Sequence, residues 1–373
     1  SGRLSADSIT ANNPAMWRVP SRAADLVIIS HKDFLTEAET WANYRRGQGH
    51  MVEVVDVDEI FDEFSYGEFS SKAIERFLKY AVDNWQTAPG YVLLIGDATH
   101  DPRNYEGLAV QYNYVPTGIA DTPFSETASD ESLADFNDDG IADLAIGRIP
   151  ARTGAHVTAM FNKTVAWEAT VTGALNQRGV VFSYDVPNGY DFKGMSTRFR
   201  DQLPVTIPTV MSPRGDLPPP NQLTQAPGAH DLLMTNINQG PFLVNYSGHG
   251  ATGTWASSAY FWTENVPQLT NPTPSIFMML TCLNGFFHNT GNVSLAEVLT
   301  EAPNGGAVAA WASSGKTTPD GQEVMGQRFF NQLGAGDINR LGDLINDAKT
   351  VVPGGPEMRL SWVLIGDPML QTQ

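Results

Sequence analysis

Cys282 is the only cysteine among 373 residues. It follows the apolar run Ser275–Leu280 (SIFMML), in the string Thr281-Cys282-Leu283-Asn284-Gly285. Thirty-three residues earlier, the run Phe242–Tyr246 ends in Ser247-Gly248-His249-Gly250. A thiol beside an imidazole is the minimal kit for acyl transfer. The imidazole assists thiolate formation, and the thiolate attacks a carbonyl carbon. The tetrahedral intermediate then needs backbone N–H donors aimed at its oxyanion. The amides of Gly250 and Cys282 are the natural pair, because glycine lets the backbone approach closely. The competing reading is plain: a Cys after a strand is usually core, and a His there is usually a hydrogen-bonded loop residue. What favours chemistry is that both stand at the ends of successive strands.

The elements around them read as α/β with a mainly parallel sheet. Strands are expected at Leu26–Ser30, Met51–Val57, Tyr91–Ile95 and Asp143–Gly147, then at Gly179–Ser183, Val205–Met211, Pro241–Tyr246, Ser275–Leu280 and Gly306–Trp311. Helices are expected at Ala38–Arg46, after the capping pair Ser70-Ser71, and at about Gly154–Ala169, Asp191–Leu203, His230–Asn238 and Leu295–Thr300. Two further helices finish the chain. A long polar stretch, from about Ala98 to Asp139, reads as irregular, and Ser212–Pro227 is rich in Pro and Gln. The natural division falls near residue 172, giving segments 1–172 and 173–373. In an open α/β sheet, ligands collect beyond the carboxyl ends of the strands. The spacing between His249 and Cys282 suffices for one crossover, which makes their strands parallel neighbours and brings both side chains to one edge.

Composition narrows the function. Hydrophobic residues make up 42% and charged residues 17%, with 34 Gly and 24 Pro, which describes a globular chain rich in loops. The formal net charge is −18, and no basic run occurs, so nucleic acid is excluded as a partner. No run reaches the ~20 apolar residues that span a membrane. A single cysteine permits no internal disulfide and leaves a thiol free to react. The opening Ser1-Gly2-Arg3 reads as a cloning remnant or a cut point in a longer precursor, so the lack of a signal peptide does not argue against secretion.

A second constellation is Asp135-Phe136-Asn137-Asp138-Asp139-Gly140-Ile141-Ala142-Asp143. Oxygen-bearing side chains recur at every second position up to a glycine, as in the first half of an EF-hand loop. Asp135, Asn137 and Asp139 are candidate calcium ligands, completed by the Ile141 carbonyl and Asp143. Ile146 stands where a full EF-hand has its bidentate Glu. Gly96-Asp97 and Gly366-Asp367-Pro368 read as strand-end turns, although the loop Asp97–Asp101 could take a second cation. His288 could compete with His249 but lacks its glycine frame.

The string Asn245–Gly250 followed by Thr281–Gly285 resembles the His-Gly and Cys boxes of the gingipain-type cysteine peptidases. Further segments agree in order: Asp62–Gly67, Leu93–Tyr105, Thr127–Asp130 (TASD), Leu144–Pro150, Ser294–Glu297, Gly305–Ala310 and Ile365–Pro368. The resemblance runs from about residue 17 to the end. It implies a caspase-like α/β/α sandwich of two lobes with mostly parallel sheets, the second lobe catalytic. It implies a secreted or cell-surface cysteine endopeptidase acting on protein or peptide substrates, with structural calcium. His249 would be the base, Cys282 the nucleophile, and the Gly250 and Cys282 amides the oxyanion hole. Two departures matter. Arginine-specific gingipains carry a Glu that supports the His just after their Gly-Arg-Phe/Ile box, where this chain has Ala151-Arg152. They also select Arg with an Asp in the following helix, where the nearest equivalent here is Asn162. A neutral amide holds a guanidinium weakly, so Asn162 as substrate-binding residue predicts a P1 preference other than Arg. Two alternatives stay open: a sortase-like transpeptidase sharing the first half-reaction, and a calcium-dependent binding module that has lost catalysis. The oligomeric state stays open too.

Overall fold

In the computed structural model, which describes residues 15–108, 112–215, 225–256, 260–354 and 356–373, the apolar runs pair into one large sheet. The strands in chain order are β1 (Leu26–Ser30), β2 (Val52–Asp56), β3 (Tyr91–Ile95), β4 (Gly118–Asp121), β5 (Glu126–Ser129), β6 (Ala145–Ile149), β7 (Val180–Tyr184), β8 (Thr209–Pro213), β9 (Leu243–Ser247), β10 (Gly250–Ala251), β11 (Thr254–Trp255), β12 (Phe261–Trp262), β13 (Ser275–Leu280), β14 (Ala307–Ser313) and β15 (Trp362–Ile365). Ten of them form the central sheet, in the order β2-β1-β3-β6-β15-β14-β13-β9-β7-β8. The strands β4 and β5 form a separate hairpin, and β10, β11 and β12 a small antiparallel sheet.

Every neighbouring pair in the central sheet is parallel except β14–β15. That one antiparallel pair turns the strand direction over. The set β2-β1-β3-β6-β15 therefore runs opposite to the set β14-β13-β9-β7-β8. Alternation of side chains splits the core between two faces. On one face, Leu26, Ile28, Leu93 and Ile149 join Val244, Tyr246, Phe277, Met279, Ala310, Val363 and Ile365 in one cluster that crosses both strand sets. On the other face, Val27, Ile29, Val92 and Leu94 pack in one cluster, while Leu243, Ile276, Met278, Trp311 and Trp362 pack in another. Helices cover both faces, as an α/β/α sandwich requires.

Four differences from the sequence reading have physical causes. The strand β15 lies where helices were expected to run to the end. It is only four residues long and fully buried, so it shows no alternation to read. The run Met51–Val57 stops being strand at Asp56, whose side chain accepts from the Asp58 amide and caps the helix Val57–Ser65. The expected helix Asp191–Leu203 spans Phe192–Arg200, with Asp191 as cap accepting from the Gly194 amide. The stretch 98–139, expected to be irregular, contains the β4–β5 hairpin. The segment 216–224 of the Pro- and Gln-rich stretch and the opening Ser1-Gly2-Arg3 lie outside the described residues. The sheet passes unbroken across residue 172, because β15 from the end of the chain sits beside β6.

Charges are buried between the helices and turns that cover the sheet. Arg45 is wholly buried and binds Asp367 at 2.6 Å and Glu168 at 2.9 Å. Asp367 also accepts from the Trp41 indole at 2.6 Å. This assigns Gly366-Asp367-Pro368 to the strand-end turn expected of it. Removing Arg45 leaves two carboxylates buried without their counter-charge. Such losses typically cost about 3–5 kcal/mol, so Arg45→Ala should lower unfolding stability by about that much. Urea denaturation monitored by tryptophan fluorescence reads it, and a change within experimental scatter would refute this role.

Candidate active site

The register of β9 and β13 sets the geometry. Ser247 pairs with Leu280 in the ladder. Two residues beyond the end of each strand come His249 and Cys282, at the same edge of the sheet, where neighbouring strands lie about 4.8 Å apart. The crossover expected from their sequence separation is therefore made, and it is parallel.

The His249 backbone is fixed on three sides. Its carbonyl accepts from the Tyr246 hydroxyl at 2.8 Å and from the Ala256 amide at 2.7 Å. Its amide donates to Asp185 Oδ2 at 3.3 Å. Burial pushes the Tyr246 phenol well above its usual range, which keeps it protonated and able to donate. The Tyr246 ring stacks on Trp255, with centroids 4.4 Å apart. The imidazole is exposed, with the Phe192 ring edge-on at 5.3 Å and the Asn188 carbonyl 3.3 Å from Nε2. With Nε2–H donated to Asn188, Nδ1 is the basic nitrogen.

Cys282 sits at a strained bend. Leu283 has φ 63°, a left-handed conformation that a branched residue rarely adopts. The Leu283 amide donates to the Gly315 carbonyl at 3.0 Å, and the Gly285 amide to the Ser313 carbonyl at 2.9 Å. The loop after β13 is thus tied to the turn after β14. The half-buried thiol lies between the Thr317 amide at 3.5 Å and the Thr317 carbonyl at 3.6 Å. Its hydrogen-bond partners are on Thr317, and none is on His249. Such looseness is common in free enzymes. Asn284 Nδ2 donates to the Ala251 carbonyl at 2.6 Å, which links the two boxes. Gly250 is packed so closely that a Cβ there would come within 2.4 Å of Thr281 Oγ1. The Cys282 amide has no hydrogen-bond partner among the described residues, so it is available to an incoming oxygen.

Three residues of this constellation escaped the sequence reading. Asp185 follows β7, the neighbour of β9, and holds Arg214 at 2.8 Å as well as the His249 amide. Asn188 supplies the carbonyl at the imidazole, and Thr317 the contacts to sulfur. Asp185 could have been suspected from its place just past a strand. The other two act through their backbones, which leaves no signature in residue type.

Other candidates fall elsewhere. Asn162 lies on the helix Gly154–Glu168 and lines a groove with Pro267, Thr270, Asn271, Pro272 and Pro303, in the turns that enter β13 and β14. Cys282 is at the exit of β13, so the structure does not bring Asn162 to the dyad. Arg152 pairs with Asp97 at 2.7 Å and Glu297 at 3.2 Å, away from His249. Burial raises Asp97 to about 7. His288 is buried, its Nε2 accepts from the Ala128 amide at 3.3 Å, and burial pushes it down to about 3. A neutral, enclosed imidazole of this kind does not compete with His249.

The loop Asp135–Asp143 closes on its own amides. Asp135 accepts from the amides of Asp139 and Gly140, at 3.2 and 2.8 Å. Asn137 accepts from Asp139 at 2.9 Å, Asp139 from Ile141 at 2.8 Å, and Asp143 from Phe136 at 2.8 Å. Asp138 and Gly140 take left-handed conformations, at φ 59° and 81°, which make the tight bend. Among the described residues, no three carboxylate, imidazole or thiol groups gather in a way that could hold a metal ion.

The fold and the paired strand exits define a caspase-like α/β protein with a thiol and an imidazole at one edge. The chain belongs to peptidase family C25, which it matches over residues 19–373. It is 23% identical to gingipain R2 of Porphyromonas gingivalis strain W83 over 92% of its length, and equally to gingipain R1 of the same species. It spans 45% of the first relative and 34% of the second. In structure it is similar to the Arg-specific cysteine proteinase gingipain R, with a TM-score of 0.75 and 19% identity, covering 93% of this chain and 78% of that one. A second protease superposes with a TM-score of 0.72 at 15% identity, covering 94% and 78%.

Proposed function

We propose that the chain is the catalytic part of a secreted or cell-surface cysteine endopeptidase, with segment 173–373 as its catalytic lobe and 1–172 as the supporting one. The observation that carries this is the matched exit of His249 and Cys282 from parallel neighbours. His249 Nδ1 takes the thiol proton, and Sγ adds to the scissile carbonyl carbon. The oxyanion is received by the Gly250 and Cys282 amides. The C–N bond breaks as the imidazolium returns its proton to the leaving amine. Water then attacks the thioester with His249 as base, which releases the acid and restores the thiol. The Asn188 carbonyl orients the imidazole in place of a carboxylate. No observation favours transpeptidation or a lapsed module over this reading. Extracellular placement rests on the family resemblance. Among the described residues no helix is long and apolar enough to cross a membrane.

Cys282→Ala should abolish hydrolysis of peptide substrates, because no other thiol exists to replace it. His249→Ala should cost about 10²–10⁴-fold in kcat, as loss of a general acid and base does. Loss of thiolate alone accounts for only tens-fold at neutral pH, so the size of the effect reports on proton donation to the leaving group. Wild-type activity in folded Cys282→Ala would overturn the reading.

Asn162, which lines a groove with the turns entering β13 and β14, is not placed to contact a P1 side chain at Cys282. Asp191 is exposed and precedes Phe192, whose ring packs on His249. The gingipain R relative is itself Arg-specific. The preference proposed for this chain is therefore a basic P1 residue, recognised by Asp191. Asp191→Asn should lower kcat/KM for Arg-P1 peptides by about tenfold or more, as loss of a charge-assisted bond does, and should leave neutral P1 peptides nearly unaffected. An equal loss for both classes would count against it.

Calcium at Asp135–Asp143 is proposed as a purely structural ion. Its support is the alternation of oxygen donors up to a left-handed glycine. Asp135, Asn137, Asp139 and Asp143, which all accept from loop amides, would have to give up or share those bonds to ligate it. Binding to the native state alone raises Tm with ion concentration, so melting should occur at higher temperature in excess calcium than in chelator. Coincident melting curves would remove the ion from the account.

A further inference from the structure

The segment Thr127-Ala128-Ser129-Asp130-Glu131 takes no part in the proposed reaction, yet its polar side chains are all buried. Two of them tie the fold together. Asp130 binds Arg148 at 2.6 Å, and Glu131 binds Lys349 at 2.6 Å. Thr127, on β5, does something else. Its hydroxyl donates to the Ser314 carbonyl at 2.7 Å. Ser314 Oγ returns a bond to the Ala128 carbonyl at 2.6 Å. The Ala128 amide donates to His288 Nε2 at 3.3 Å.

These bonds reach both loops that seat the thiol. Ser314 begins the turn after β14. The next residue, Gly315, accepts from the Leu283 amide, and Thr317 supplies the amide and carbonyl that flank Cys282 Sγ. His288 lies on the loop that follows Cys282. Gly315 is pressed against Thr127, since a Cβ there would meet Thr127 Cγ2 at 3.0 Å. The end of β5 therefore holds the Ser314–Thr317 turn on one side and the Cys282 loop on the other, although it belongs to neither strand neighbouring the nucleophile.

We propose that Thr127 is a positioning residue for Cys282: its hydroxyl fixes the Ser314–Thr317 turn, and so keeps the Thr317 amide donating to the sulfur. The inference rests on the reading of Cys282 as nucleophile. The Thr317 amide and carbonyl together hold the sulfur in place, and a bend strained at Leu283 holds its shape only when its surroundings over-determine it. Neither contact is made by any residue of β9 or β13.

Thr127→Val keeps the shape and removes the hydroxyl, while Thr127→Ser keeps the hydroxyl. Misplacement of catalytic groups by about 1 Å can cost about 10²-fold. Thr127→Val should therefore lower kcat by about 10–100-fold with little change in KM. It should also slow alkylation of Cys282 by iodoacetamide severalfold. That reaction reports on this residue alone, because the chain has one thiol. Thr127→Ser should restore both rates. Wild-type kcat and alkylation in folded Thr127→Val would overturn the proposal, as would a loss that Thr127→Ser fails to rescue. If Thr127→Val does not fold, Thr127→Ala removes the same hydroxyl with less bulk against Gly315: slowed alkylation supports the proposal, and an unchanged rate refutes it. Failure of the nucleophile assignment would look different, because Cys282→Ala would then keep its activity whatever the Thr127 variants do.

Discussion

Parallel pairing of β9 with β13 is the constraint on which the site depends. A parallel ladder locks two strands in register through evenly spaced hydrogen bonds. With Ser247 opposite Leu280, equal overhangs of two residues carry an imidazole and a thiol to the same level. A slip of one residue would turn each side chain to the other face of the sheet. The register is fixed by burial. Val244 and Tyr246 on β9 and Phe277 and Met279 on β13 share one core cluster, while Leu243, Ile276, Met278 and Leu280 face the other.

The two strand sets are joined by the antiparallel pair β14–β15, and charges taken out of water tie together the elements packed around it. Arg45 with Asp367 and Glu168, Arg148 with Asp130, Lys349 with Glu131, and Arg152 with Asp97 and Glu297 are all largely buried. A buried ion pair adds little net stability compared with apolar packing, but breaking one is costly. Such pairs therefore specify which surfaces meet. Here they join segments far apart in sequence: the helix that follows β1 to the turn after β15, and the segment Thr127–Glu131 to β6 and to the helix Leu341–Thr350. The reactive loops lie on top of this junction, and both halves contribute to their support.

The sequence displayed the strands that carry the site, since SIFMML and the run ending at Tyr246 are apolar and end in chemically distinctive strings. It also displayed the family, through boxes spread in order along the chain. The short buried strand β15 was not legible, because four apolar residues give no period. The start of the helix at Val57 was hidden by an apolar run that continues through the strand end. Asn162 seemed placed for substrate by analogy with a following helix. Only the groove that Asn162 lines with the turns entering β13 and β14 shows that it lies at the other edge.

What the sequence determined by itself was chemistry: one thiol, one glycine-framed imidazole, and an alternation of oxygen donors up to Gly140. Those are properties of residue type and local spacing, and they survive any folding of the rest. What only the tertiary structure decided was support: the Asn188 carbonyl at the imidazole, Asp185 at the His249 amide, Thr317 at the sulfur, and Thr127 behind Thr317. Most of these act through backbone groups, or through contacts between residues more than a hundred positions apart. Every residue but proline carries the same N–H and C=O, so no residue type announces which of them will face the active site. The fold alone selects them.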